Sequence, residues 1–138
     1  MKALIDTNVI IDYALERAPF WDSSEQIFLL IETQRLVGYV SASTFGDLYY
    51  IIRKQRGHDW ALAFLVRLAE FCQVATVDQL VITTALTAQF KDFEDAVQYA
   101  AALEAEVDVI VTRNTKDFRI ATPQVMTPDQ LIQACAGN

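Results

Sequence analysis

ALIDTNVIID, residues 3 to 12, places an acid between two apolar runs. Ala3-Leu4-Ile5 is short, apolar and ends at Asp6, the pattern of a buried strand. From about residue 8 to 16, Ile11 and Leu15 recur at helical spacing, and Pro19 breaks the helix. Asp6 stands at the junction and admits two roles. A carboxylate there can cap the helix that follows, or it can be one arm of a cation site.

The same alternation continues outward. A second helix is expected from about 22 to 34, with Ile27, Leu30 and Ile31 on one face. LVGYVSA (36–42) is β-branched and aromatic, hence a second strand. STFGDLYYIIRKQRG begins at a Ser43 cap and stops at Gly57, a helix marked at both ends. Residues 59 to 71 form another, with Leu62, Leu65, Val66 and Ala69 turned inward. QVATV (73–77) is a third strand, and Asp78 caps a helix of about ten residues. DFEDAVQYAAALEAE gives an Ala-rich helix from about 92 to 105. DVIVT (108–112) is a fourth strand and PQVMT (123–127) a short fifth. Thr127-Pro128-Asp129-Gln130 is a capping box with Pro at the first helical position, so a last helix follows. Helical connections between short apolar strands imply a parallel sheet covered on both faces: a three-layer α/β/α fold with four to five strands. In such sheets ligands bind at the carboxyl ends of the strands, near the point where strand order reverses.

Composition fits this reading. The 138 residues suit a single domain, 1–138, and 53% hydrophobic content is enough for a core without staples. Gly and Pro are scarce at 4 and 3, which favours a helix-rich chain with short loops. The two cysteines, Cys72 and Cys135, lie in apolar stretches without metal-type spacing, and free thiols fit a reducing compartment. Asp6 interrupts the first apolar stretch too early for a cleavable signal. No uncharged apolar run approaches the roughly 20 residues that span a bilayer. The expectation is a cytoplasmic protein with no membrane association. The net charge of −7 opposes non-specific binding to phosphates, unless part of the excess belongs to a cation site.

Four carboxylates come just past strand ends or near helix starts: Asp6, Asp47, Asp95 and Asp117. One sheet edge could gather all four. Hard oxygen donors suit Mg²⁺ or Mn²⁺, which can activate water and stabilise a phosphoryl transition state. Each acid also has an ordinary role open to it. Asp47 lies at the edge of the face formed by Phe45, Leu48, Ile51 and Ile52. Asp95 is three residues after a likely cap, Asp92, where a carboxylate suits the helix dipole. Asp117 could pair with Lys116 or Arg119. Other chemistries find less support: His58 follows Gly57 and reads as a surface residue, and neither a Ser-His-Asp set nor a phosphate-binding glycine loop is present. A receiver domain lacks its acidic pair here, and a haloacid-dehalogenase-type phosphatase would want an acid where Asn8 stands.

Asp6-Thr7-Asn8 after the first strand, FEDAVQYAAAL around Asp95, and VTRNTKDF ending at Asp117 together resemble the PIN domain, in order and spacing over nearly the whole chain. STFGDLYYIIRK resembles the second motif of the PIN-like toxins of VapC type. The resemblance implies a metal-dependent ribonuclease, with Asp6, Asp47, Asp95 and Asp117 catalytic and Asp6, Asp95 and Asp117 around Mg²⁺ or Mn²⁺. Asp47 stands where the family usually has Glu, and Asn114 where many members have a further Asp. Thr7, Asn8 and Asn114 would orient the ligands and their waters. Asp92 and Glu94 fall outside the site, as cap and surface. Arg53, Lys54 and Arg56, with Arg113, Lys116 and Arg119, are the candidates for holding RNA. The partners implied are an RNA substrate, a cognate antitoxin protein and a second copy in a homodimer. The alternative is a catalytically weakened PIN-like domain that binds RNA or protein.

Overall fold

The computed structural model describes residues 1–137. Lys2–Ile5 forms β1, followed by α1 (Thr7–Ala14) and α2 (Trp21–Glu32). Next come β2 (Val37–Ser41), α3 (Ala42–Arg56), α4 (His58–Phe71) and β3 (Gln73–Ala75). The chain continues through α5 (Gln79–Thr87), α6 (Phe93–Glu104), β4 (Val109–Val111), a 3₁₀ turn (Thr115–Asp117), β5 (Gln124–Met126) and α7 (Pro128–Ala136). All strand pairs are parallel, in the order β3-β2-β1-β4-β5. β1 is therefore central, and the order reverses between β1 and β4.

Strand alternation divides the core in two. Ala3, Ile5, Val109 and Val111 face one layer, where they meet Val9, Ile27, Leu48, Ile52, Leu68 and Leu131 from α1, α2, α3, α4 and α7. Leu4 and Ile110 face the other, against Val81, Ala85, Val97 and Ala101 from α5 and α6. Both faces of the sheet are covered, which is why its strands read as continuous apolar runs. Gly38 in β2 makes one close approach possible: a Cβ there would lie 2.6 Å from Ile31 Cδ1 and 3.0 Å from Cys72 Sγ. No described helix is long and apolar enough to cross a membrane.

Local signals fixed several boundaries. Asp78 accepts from the Val81 N–H at 3.0 Å, as a cap should. The Thr127–Gln130 box closes reciprocally, at 3.2 Å and 2.9 Å. Two expectations fail. Ser43 does not cap α3, which starts at Ala42; Ser41 holds the cap position, and the Ser41 and Ser43 hydroxyls bond each other at 2.7 Å. The inward face of α4 is also rotated from the expected one. Ala61 and Leu68 are buried, whereas Leu62 and Val66 are 44% and 58% exposed and Ala69 is exposed. In α4 apolar residues occupy nearly the whole circumference, so periodicity could not select the buried stripe.

Candidate active site at the carboxyl edge of the sheet

Asp6 is the fixed point. Its N–H continues the ladder to the Val111 carbonyl at 2.9 Å, and its carbonyl accepts from Val9 N–H at 3.1 Å as α1 begins. The side chain, 5% exposed, makes no capping bond to the helix. Gln98 Nε2 donates to Oδ1 at 2.8 Å and Thr112 Oγ1 donates to Oδ2 at 2.7 Å. Burial pushes the Asp6 carboxyl above its ordinary range, against the pull of these donors and of the Thr7 N–H. Each oxygen keeps a lone pair beyond its bond to protein.

The other acids arrive from three elements. Asp92 caps α6, its Oδ1 accepting from the N–H groups of Glu94 and Asp95 at 2.8 Å and 3.2 Å. That leaves the half-buried Asp95 side chain free of capping duty. Burial raises the Asp95 carboxyl to about 7, helped by the charges of Asp6, Asp92, Asp117 and Glu94. Asp117 ends the 3₁₀ turn after β4, exposed, its N–H bonded to the Asn114 carbonyl at 3.0 Å. Asp47, half-buried, approaches from α3. It meets Glu94, whose carboxyl is raised first by burial, then by the charge of Asp47 and the hydrogen bond between the two, then by Asp92 and Asp6. Glu94 is exposed, as expected of a surface residue, and its carboxyl also faces Asp47. The acidic cluster contains it beside the expected Asp6, Asp47, Asp95 and Asp117.

As positioned, no three Asp, Glu, His or Cys side chains among the described residues form a ready-made ion cage. Asp6 has turned an oxygen to each of Gln98 and Thr112, and Asp117 stands exposed on its turn. The donor set nonetheless fits a hard cation. It is all oxygen, and the acids raise one another's carboxyls through their charges, which a divalent ion would relieve.

The remaining candidates divide. The Thr7 hydroxyl pairs with Thr44 at 3.1 Å and ties α1 to α3. Asn8 Oδ1 is buried without a hydrogen-bond partner among the described residues. Asn114 is exposed, and its N–H reaches Thr112 Oγ1 at 3.1 Å. Lys116 and Arg119 line a cleft of about 560 Å³ with Asp92, Asp95, Asp117 and Tyr99. Arg113 serves elsewhere: its Nε lies 2.7 Å from Oδ2 of buried Asp12 on α1, and its guanidinium sits 4.1 Å from the Phe20 ring centroid. The ion pair engages Nε while the Arg113 side chain stays 25% exposed. Arg53, Lys54 and Arg56 are exposed at the far end of α3.

Sequence reasoning missed Gln98 and Thr112. Gln98 carried a readable signal, since it is one turn beyond Asp95 and sits among the small residues of an Ala-rich helix. A buried amide there needs a partner.

A doubly wound parallel sheet with acids clustered at its switch point defines a small class of α/β/α domains. This chain belongs to the PIN domain family, whose model matches residues 2–116; PIN domains are nucleases. A comparison with curated protein sequences gave no match. Among solved structures, a chain of the VapBC2 complex of Rickettsia felis, bound to a promoter DNA fragment, superposes with a TM-score of 0.70 at 15% identity, over 92% of this chain and 98% of that one. A toxin–antitoxin complex from Klebsiella pneumoniae gives 0.67 at 25% identity, over 91% and 97%. VapC20 of Mycobacterium tuberculosis, a sarcin-ricin loop cleaving toxin, gives 0.63 at 16% identity, over 78% and 86%.

Proposed function

We propose that this chain is a Mg²⁺- or Mn²⁺-dependent endoribonuclease and the toxin of a toxin–antitoxin pair. The observation that carries the reading is geometric: Asp6 at the end of the central strand, Asp95 at the start of α6 and Asp117 on the turn after β4 gather at the switch point, the last two lining one cleft with Lys116. Asp6, Asp95 and Asp117 would hold the ion. When bound, such an ion supplies an activated water and neutralises charge building on the phosphoryl group. The protein's part is orientation. Gln98 and Thr112 fix the Asp6 carboxylate in one direction. Glu94 faces Asp47 from α6, adding reach where Asp47 is one methylene short. Lys116 and Arg119 flank the acids and would take the neighbouring phosphates.

The toxin role and an antitoxin partner lean on the likeness to the toxin–antitoxin complexes, and a homodimer and a cytoplasmic setting on the family resemblance alone. The substrate class leans on the RNA-loop-cleaving relative. A second reading, a weakened domain that binds RNA or protein, is favoured by Asp47 and Asn114, which stand where the family usually has Glu and many members have Asp. Incubation with structured RNA and Mn²⁺, with and without chelator, beside Asp6→Asn, separates the two. Cleavage lost to chelator and to Asp6→Asn supports the nuclease. RNA bound but never cut supports the binding module, and cleavage indifferent to both changes refutes the metal nuclease.

A further inference from the structure

α3 carries more than Asp47. Its residues Gly46, Tyr50 and Arg53 are spaced by four and three, so they form one outward stripe, with Asp47 and Lys54 along its edge. The stripe has three properties that packing does not require. Tyr50 is 60% exposed, a large ring left in water. Gly46, inside a helix where glycine is unfavourable, would meet nothing within 4 Å if it had a Cβ, so it clears no neighbour within the fold. Three cations, Arg53, Lys54 and Arg56, lie within one turn on a chain whose net charge is −7.

These groups are already arranged as cation and ring. The Arg53 guanidinium lies 5.7 Å and 5.8 Å from the centroids of Tyr49 and Tyr50. Across the turn at Gly57, Arg56 lies 5.4 Å from the ring centroid of Trp60, which is 40% exposed and stacked on Phe64 at 3°. Guanidinium groups held against rings keep N–H edges for phosphate, and an exposed ring face accepts a base. The helix rise places Tyr50 about 4.5 Å and Arg53 about 9 Å along the axis from Asp47. The stripe therefore starts at the acidic cluster and leads away from it.

We propose that this outer face of α3, continued to Trp60, is a track for single-stranded RNA leading out of the acidic site. Tyr50 and Trp60 stack bases, Arg53, Lys54 and Arg56 take phosphates, and the bare helix at Gly46 lets the backbone of the strand come close beside Asp47. Unpaired bases are required, because a duplex hides its ring faces. An acidic protein partner would also meet the cations, but it would leave the exposed rings of Tyr50 and Trp60 unused. The assignment rests on the ribonuclease reading for its substrate, and its test is separable from that reading.

The probe is a short fluorescent single-stranded RNA, titrated into the full chain in chelator and read by anisotropy, with its duplex form and a poly-glutamate peptide as competitors. Tyr50→Ala should weaken single-strand binding by about 5- to 150-fold, the effect of one lost stack, and Tyr50→Phe should restore it. Arg53→Gln should lower the slope of log K against log salt by about 0.7. Both positions are exposed, so the variants should melt with the wild type. Wild-type affinity in Tyr50→Ala and Arg53→Gln, or poly-glutamate displacing RNA at equal concentration, overturns the track. Cleavage in Mn²⁺ is read in parallel. A chain that binds through Tyr50 and never cuts retains the track and loses the nuclease, and one that cuts while Tyr50→Ala binds normally does the reverse.

Discussion

The Asp12–Arg113 pair offers the sharpest perturbation. Asp12 is 1% exposed, and Arg113 Nε stands 2.7 Å from its Oδ2. The contact is an ion pair: neither Asp12 oxygen has a hydrogen-bond partner of good geometry among the described residues. Burial raises the Asp12 carboxyl, while the charges of Arg113 and Arg17 pull it down. Arg113→Met keeps bulk over Phe20 and removes the charge. The buried carboxylate must then stay ionised without its partner or take up a proton. Breaking a buried pair from one side costs about 3–5 kcal/mol. Protonation sets a ceiling: from an unfolded value near 3.9, it costs about 4 kcal/mol at pH 7 and about 1.5 kcal/mol at pH 5. The sign follows from linkage. In the variant the folded state holds the proton more firmly than the unfolded chain, so stability falls as pH rises above about 4. Urea unfolding followed by circular dichroism at the two pH values measures both quantities. A loss under about 1 kcal/mol at pH 7, or the same loss at both pH values, would refute the reasoning. The pair also matters beyond stability, because Arg113 lies between Thr112, which holds Asp6, and Asn114, whose carbonyl holds the turn of Asp117.

Four further outcomes are expected. Gly38→Ala should destabilise the fold by about 1–3 kcal/mol, since its Cβ would collide with Ile31 and Cys72; a melt equal to wild type would show that α2 can yield. Gly46→Ala should instead stabilise by about 0.5–1 kcal/mol, because the new methyl meets open space and the helix gains propensity. In divalent-free buffer, the Asp95 carboxyl near 7 lets the folded state bind a proton that the unfolded chain releases near 3.8. Stability should therefore decline as pH rises through this interval, and Asp95→Asn should flatten the decline in melts taken across it. Burial lifts the Cys72 thiol to about 12, so it should resist alkylation at pH 8 until denaturant is added; prompt labelling of the native chain would contradict that burial.

Sequence and structure part company where environment outweighs pattern. The sheet was legible because its strands are covered on both faces and read as apolar runs, and because caps such as Asp78 and Thr127 mark helix starts without tertiary help. The buried face of α4 was not legible, since apolar residues line nearly its whole circumference and only packing against α3 selects Ala61 and Leu68. Among the acids, Asp6, Asp95 and Asp117 could be read from their places after strands and at a helix start. Glu94 could not: it looks like any acid in a first helical turn, and only the approach of α3 brings Asp47 against it. Arg113 shows the converse. Its position in a loop of cations suggested a phosphate contact but gave no sign of the buried acid on α1 that its Nε pairs with, since that neighbour is far away in sequence. A buried acid claims a nearby cation first, and three cations, Lys91, Lys116 and Arg119, line the cleft, with the α3 stripe beyond it.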